Sequence, residues 1–425
     1  MPVGIYFWLV AQFGVNVVVE DSWNTTVLML GRFASGRLSL ASLWSPHNGN
    51  RILFPYLFFL AIDLPSHYDA VADMYVGAAL EALALVLVCW LVRRTTPLRG
   101  IWLIPIGLLL LSPVQIENIL WDFQLAWPLT LLAMVACLCC LELGLERRLP
   151  RCLAVLAAVV ASFSLIQGLL VWPAGLIYGW AHGYSRRWLA GWLAIGVLTL
   201  IAYAWRLGPT EPTSWSSYSY SHIPQAVRFL LDASGNYAPR FHAVVGAVVL
   251  AACGVTIFAV RWQRKWRDRL RTPLALMFLG LAFVLLLTWG RSVLGPEEAL
   301  SSRYTTFTLL LPVSLYVVGA TYCRRAGARS TGTRWWEGRR SSQMLLAGLV
   351  VAVGIQFGCS LDYGLVQGSE IRTARTQQAA ELAKYQTAPD SALQPLFAPG
   401  GAFVKKWAPI LARNHWSVFA RGTHG

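Results

Sequence analysis

Charge is scarce along this chain: 13% of its 425 residues are charged, and Asp and Glu together number only 20. More than half the residues are apolar and the mean hydropathy is positive, which excludes an ordinary soluble domain of this length. Nucleotide-binding and hydrolytic signatures are missing as well. No Gly-rich phosphate loop ending in Lys and Ser or Thr occurs, no Gly-x-Ser-x-Gly and no His-Glu-x-x-His, so ATP-driven transport, serine hydrolysis and zinc proteolysis lose support. The first apolar stretch, Val3 to Val19, lacks the basic start and small-residue cleavage site of a secretory signal and is expected to remain as a first helix. None of the eight cysteines (89, 137, 139, 140, 152, 253, 323, 359) lies inside a large polar loop. They are read as packing residues, with no disulfide framework and no metal assigned to them. No internal repeat, heptad or low-complexity tract stands out.

What is abundant is apolar sequence in blocks. A spanning helix needs about 20 mostly apolar residues. On that template about eleven spans are expected, centred near residues 11, 81, 107, 135, 160, 176, 197, 250, 281, 313 and 351. Basic residues are unevenly placed between them: the connections 93–99, 147–151, 186–187, 261–271 and 324–340 hold 20 of the 35 Lys and Arg residues. They alternate with connections poorer in basic charge, which is the positive-inside pattern. It predicts an all-α, polytopic membrane helix bundle in the cell (inner or plasma) membrane, with the N-terminus inside. Segments 20–69, 112–124, 207–240, 291–302 and 360–425 then lie outside. Residues 1–360 form the membrane domain, including a long first external loop at 20–69, and residues 361–425 form a small extracytoplasmic tail.

Smaller features follow from the same reasoning. Within the first loop, Ile52 to Leu60 is too short to span and is interrupted by Pro55, which suggests a helix along the membrane surface. Pro209, Pro212, Ser214, Trp215 and Tyr218 mark a turn-rich external loop. In the tail, Ser369 to Gln386 is expected as a polar, surface-lying helix and Val404 to Ala412 as a short second one. The net charge of +15, and the stretch Arg261 to Arg271 with its interleaved Trp262 and Trp266, could suggest nucleic acid. Their place between spans favours anionic lipid instead, and no nucleic-acid partner is expected.

Polar residues beside membrane helices usually belong to a site. On the expected outer side these are Glu20 and Asp21; His47, Asn48 and Arg51; Gln115, Glu117, Asn118 and Gln124; Arg291; and Arg303 with Tyr304. A carboxylate can accept the proton of an attacking hydroxyl or help hold a divalent cation. A guanidinium can bind phosphate through two parallel hydrogen bonds. Bland roles compete: Asp21 could cap a helix starting near Ser22, Arg51 could snorkel to lipid phosphates, and His47 could be a turn residue beside Pro46. Glu81, in the middle of the second span, is costly there unless protonated or paired.

The combination resembles the C-type (GT-C fold) membrane glycosyltransferases of the bacterial, polyprenyl-phosphate-sugar-dependent type. The resemblance is carried by Glu20-Asp21-Ser22-Trp23, by Ser45-Pro46-His47-Asn48-Gly49-Asn50-Arg51-Ile52, and by Ser112-Pro113-Val114-Gln115-Ile116-Glu117-Asn118-Ile119-Leu120-Trp121. Gly168, Trp172-Pro173 and Ser302-Arg303-Tyr304 complete it. It implies transfer of a sugar from a polyprenyl-phosphate donor to an extracytoplasmic glycan, lipid or protein acceptor. On that implication Asp21, or second Glu20, is the base; Arg51, His47, Arg303 and Arg291 hold the donor phosphate; and Asn48, Gln115, Glu117, Asn118, Gln124 and Tyr304 contact substrate. A divalent cation, Mg or Mn, could sit beside Asp21. The alternative from another class is a secondary transporter or a lipid or glycolipid flippase, and a third reading is a non-catalytic scaffold. Transporters place coupling residues near the bilayer midplane, whereas here, Glu81 apart, the charges gather at the expected outer edge.

Overall fold

A computed structural model describes residues 2–207, 222–262, 269–329 and 335–420. The turn residues Pro209, Pro212, Ser214, Trp215 and Tyr218, and Trp266 of the basic stretch, lie outside the described residues. The chain is an all-α bundle whose only paired strands, among the described residues, are the two-residue pieces Pro46–His47 and Asn50–Arg51.

Among the described residues, eight helices are long and apolar enough to cross a membrane: Ala70–Thr95, Gly100–Leu120, Asp122–Leu143, Arg186–Ala204, His242–Arg261, Arg271–Leu294, Ser302–Arg325 and Gln343–Ala383. The count of eleven is not supported. The centres near 11, 160 and 176 fall in Pro2–Phe13, Arg148–Ser162 and Val171–His182, of 12, 15 and 12 residues. At about 1.5 Å per residue these reach roughly 18 to 22 Å, short of the approximately 30 Å hydrocarbon core.

Local chemistry sets where the helices start and stop. Ala70–Thr95 begins at Asp69, whose carboxylate accepts from the Val71 N–H at 3.0 Å, and ends with Arg93 and Arg94 in its last turn. An acidic cap at the positive end and cations at the negative end both stabilise the helix dipole. This helix packs on Ala126–Leu143, which packs on Arg148–Ser162. Arg271–Arg291 packs on Leu310–Arg329, which packs on the last long helix, Trp335–Ala383.

That last helix runs 49 residues without a break. The stretch expected as a separate surface helix from Ser369 is its continuation, because no Pro lies within it and Gly368 alone does not end a helix. The first loop holds the helices Thr26–Ala34 and Leu53–Ser66. Pro55 does not break the second, since it sits in the first turn, where a missing N–H costs nothing. The tail helix Gly401–Asn414 packs onto this loop, with Gly31 facing Ile410 and the Ser417 N–H donating to His67 O at 3.0 Å. Val18, Trp23, Leu30, Tyr68, Leu396 and Leu411 form their shared core, each fully buried. First loop and tail thus make one cap over one end of the bundle.

Candidate functional site

The site starts from a three-residue turn, Glu20–Ser22. Glu20 adopts a left-handed backbone, φ 47°, which costs a residue with a Cβ about 1–2 kcal/mol. Neighbours hold the turn there. Ser22 Oγ donates to the Asp122 carboxylate at 2.9 Å, Tyr68 OH donates to the same carboxylate at 3.0 Å, and the fully buried Trp23 donates Nε1–H to Val18 O at 3.1 Å.

Held this way, Glu20 lines a cavity of about 360 Å³ together with Glu117, Trp121, Ser302, Arg303 and Arg375. Four separate parts of the chain meet here. The fourth is the last helix, which contributes Tyr363, Gln367, Ile371 and Arg375. A spacing of four places them on one face of that helix. Gly364 lets the helix approach: a Cβ there would lie 2.7 Å from Pro113 Cβ and 3.0 Å from Pro113 O.

The two opposing turns are fixed to one another by hydrogen bonds. The Glu117 carboxylate accepts from Ser301 Oγ at 3.0 Å and from the Arg303 backbone N–H at 3.1 Å, while Ser302 Oγ accepts from the Glu117 N–H. Arg303 Nη2 pairs with Glu298 at 2.8 Å. Arg375 is half-buried, donates to Gln378 at 3.2 Å, and forms none of the ion pairs found among the described residues. Burial pushes the Glu20 carboxyl above its usual range; the nearby Arg375 charge opposes this, Asp21 adds to it and Arg303 opposes it. The cavity thus brings a carboxylate of raised basicity together with a guanidinium that no carboxylate neutralises in contact.

Other expected residues go elsewhere. Asp21 turns away from the cavity to His47, with Oδ2 to Nε2 at 3.4 Å, and Asn48 Nδ2 lies 3.4 Å from the same oxygen and 3.0 Å from His47 Nε2. Asn48-Gly49 forms the turn of the small hairpin, both at positive φ, as Asn-Gly favours. Arg51 lies outside the cavity: it is 2% exposed, and its three guanidinium nitrogens donate to the backbone carbonyls of Tyr203, Trp44 and Trp205. Three of its five N–H groups thus dock the hairpin onto the end of the helix Arg186–Ala204. Gln115 and Asn118 are buried stitches between the turns. Asn118 Nδ2 donates to Arg303 O at 2.9 Å and Thr306 Oγ1 at 2.8 Å, and Thr306 Oγ1 donates to Gln115 Oε1 at 2.5 Å. Gln124 is 3% exposed and outside the cavity. Tyr304 OH donates to Glu298 while its ring packs on Trp127, and Arg291 ends its helix away from the cavity lining.

Arg375 escaped sequence reasoning. The signal was available as the four-residue spacing from Tyr363 down one helix face, hidden by reading the helix as two pieces. Asp63 and Asp73 escaped too. Both are fully buried, their carboxyl groups lie within hydrogen-bond reach of each other, and no other donor reaches them among the described residues.

A divalent cation does not fit the described residues. No three His, Cys, Asp or Glu side chains among them converge to hold one, and the side-chain partners of the Asp21 carboxylate among the described residues are His47 and Asn48. The chain matches no protein-family model, no curated protein and no solved structure.

Proposed function

We propose that this membrane protein is a glycosyltransferase that moves a sugar from a polyprenyl-phosphate donor to a hydroxyl of an envelope glycan, lipid or protein. The observation that supports it is the convergence of Glu20, Glu117, Arg303 and Arg375 on one cavity. The cavity opens on the outer face of an inner or plasma membrane, the side that the distribution of Lys and Arg favours.

Glu20 accepts the acceptor hydroxyl's proton as that oxygen attacks the anomeric carbon. The bond from the anomeric carbon to the donor phosphate oxygen breaks, and polyprenyl phosphate leaves with the electron pair. Arg375, helped by Arg303, stabilises the charge that grows on the phosphate, an interaction stronger in the transition state than in the ground state. Glu117 keeps the Arg303 turn in place. Asp21, which the family resemblance puts first as the base, is on this reading a neighbour that holds His47 and Asn48 and raises the basicity of Glu20.

The test is transfer by purified protein, supplied with labelled polyprenyl-phosphate sugars and envelope acceptors. Wild type is expected to turn over, Arg375→Ala to lose affinity for the donor at least tenfold, and Glu20→Gln to lose turnover. Full turnover by both well-folded variants would remove the proposed roles.

The buried carboxyls Asp63, Asp73 and Glu81 favour a second reading, proton-coupled transport or flipping. Burial pushes the Asp63 carboxyl well above the usual carboxylate range, and Glu81 Oε1 has no hydrogen-bond partner among the described residues. Proton-coupled flux in vesicles, lost in Asp63→Asn and without any sugar transfer, would select it.

A further inference from the structure

A second concavity, of about 700 Å³, lies between the helices Val171–His182, His242–Trp262 and Arg271–Arg291. It sits at the start of the last of these helices, whereas Glu298, the partner of Arg303, follows that helix's other end. The groove is therefore at the opposite end of the bundle from the Glu20 cavity. Tyr178 and Met277 make its floor, each 1% exposed, and Ile177, Trp180 and Ile257 make walls that are exposed.

Its dimensions and charge point to one occupant. The stretch from Arg271 to Leu281 rises about 15 Å, half of a hydrocarbon core of about 30 Å, which is the depth of one acyl chain. At the mouth stand Arg271 and Arg261. Arg271 donates to both oxygens of Glu142, at 2.7 and 3.0 Å, and Tyr178 OH donates to the same carboxylate. Its charge is thus matched within the protein. Arg261 is exposed and forms none of the ion pairs among the described residues. The sequence from Arg261 to Arg271 holds six Lys and Arg against one Asp. A basic mouth over an intramembrane apolar groove suits an anionic headgroup with its chain inserted.

We infer that this groove is a binding site for a single anionic phospholipid, its phosphate on Arg261 and one acyl chain between Ile177, Ile257 and Met277. The site is separate from the Glu20 cavity and does not depend on what reaction occurs there.

The experiment is native mass spectrometry of the full-length protein in detergent, titrated with phosphatidylglycerol or with phosphatidylcholine of the same acyl chains. Wild type is expected to retain one phosphatidylglycerol in preference to phosphatidylcholine. Arg261→Ala should reduce that preference roughly fivefold. Ala181→Phe, which fills the groove, should lower retention of both lipids. Arg187→Ala, an exposed cation outside the groove lining, should leave both unchanged. Equal retention of the two lipids by wild type, an unchanged preference in Arg261→Ala, or an equal loss in Arg187→Ala would overturn the site, because each would reduce the attraction to general surface charge. Proper folding of each variant is checked by its elution as the wild-type species.

Discussion

Ser22 and Asp122 meet across 100 positions of sequence, the Ser22 hydroxyl donating to the Asp122 carboxylate at 2.9 Å with both residues buried. This bond joins the first loop to the start of the helix Ala126–Leu143, and it fixes the turn that holds Glu20 at positive φ. Ser22→Ala leaves a buried carboxylate with one donor fewer, at a cost of about 1–3 kcal/mol. A lower apparent melting temperature in detergent is expected, with a larger fall in donor affinity than Asn48→Ala produces. Equal effects of the two variants would show that the turn does not depend on this bond.

Glu20 and Asp21 are adjacent in sequence and differ in role. A general base contributes about 10² to 10⁴ in rate, so Glu20→Gln is expected to lose at least a hundredfold in turnover while Asp21→Asn keeps most of it. Single-turnover rates with saturating donor measure the difference.

The Glu20 carboxyl also sets a pH dependence. Its pKa is raised in the folded protein, chiefly by burial, so the contribution it makes to stability is fully present below its unfolded pKa and is lost as pH rises through the folded one. Glu20→Gln should therefore be more stable than wild type near neutral pH, and the gap should close as pH falls toward the ordinary glutamate value of about 4.3. Transfer by wild type should rise with pH over the same window, as Glu20 deprotonates. Melting curves and rate profiles from pH 4 to 8 check both signs.

Arg51→Ala is expected to act on stability and not on donor binding. Removing it takes a donor from the backbone carbonyls of Trp44, Tyr203 and Trp205, of which the buried one, Tyr203 O, is left unsatisfied at a cost of about 1–3 kcal/mol. The variant should melt much lower, and the fraction that folds should bind donor as tightly as wild type. A tenfold loss of affinity in well-folded protein would return Arg51 to the phosphate site.

Two glycines of the last helix should respond oppositely to the same change. Gly358→Ala meets open space and gains about 1 kcal/mol of helix propensity. Gly364→Ala gains the same but drives a Cβ to within 3 Å of Pro113, backbone oxygen included. The clash should win, lowering both melting temperature and donor affinity by displacing the face that carries Arg375.

Much of the architecture was legible in the residues, because hydropathy and helix ends are local properties. The apolar blocks act within a few residues of themselves and form helices where the sequence puts them; the Asp69 cap and the Asn48-Gly49 hairpin, equally local, became visible in the structure. The eleven-span count was less secure for the same reason: apolar composition near 11, 160 and 176 does not reveal where a helix of 12 to 15 residues stops.

The candidate site was legible only in part. Glu117 and Arg303 were picked out by polarity at helix mouths and do line the cavity. Which of Glu20 and Asp21 faces it was not, since one left-handed residue, held from Asp122, decides the direction of both. Nor could sequence tell that Arg51 would spend its donors on three carbonyls, or that Arg375 would arrive from the far end of the chain. The sequence by itself determined a helical membrane protein with polar groups at helix ends. Only the tertiary structure decided which of those groups share a cavity, because the direction of a side chain depends on the packing of segments that are hundreds of residues apart.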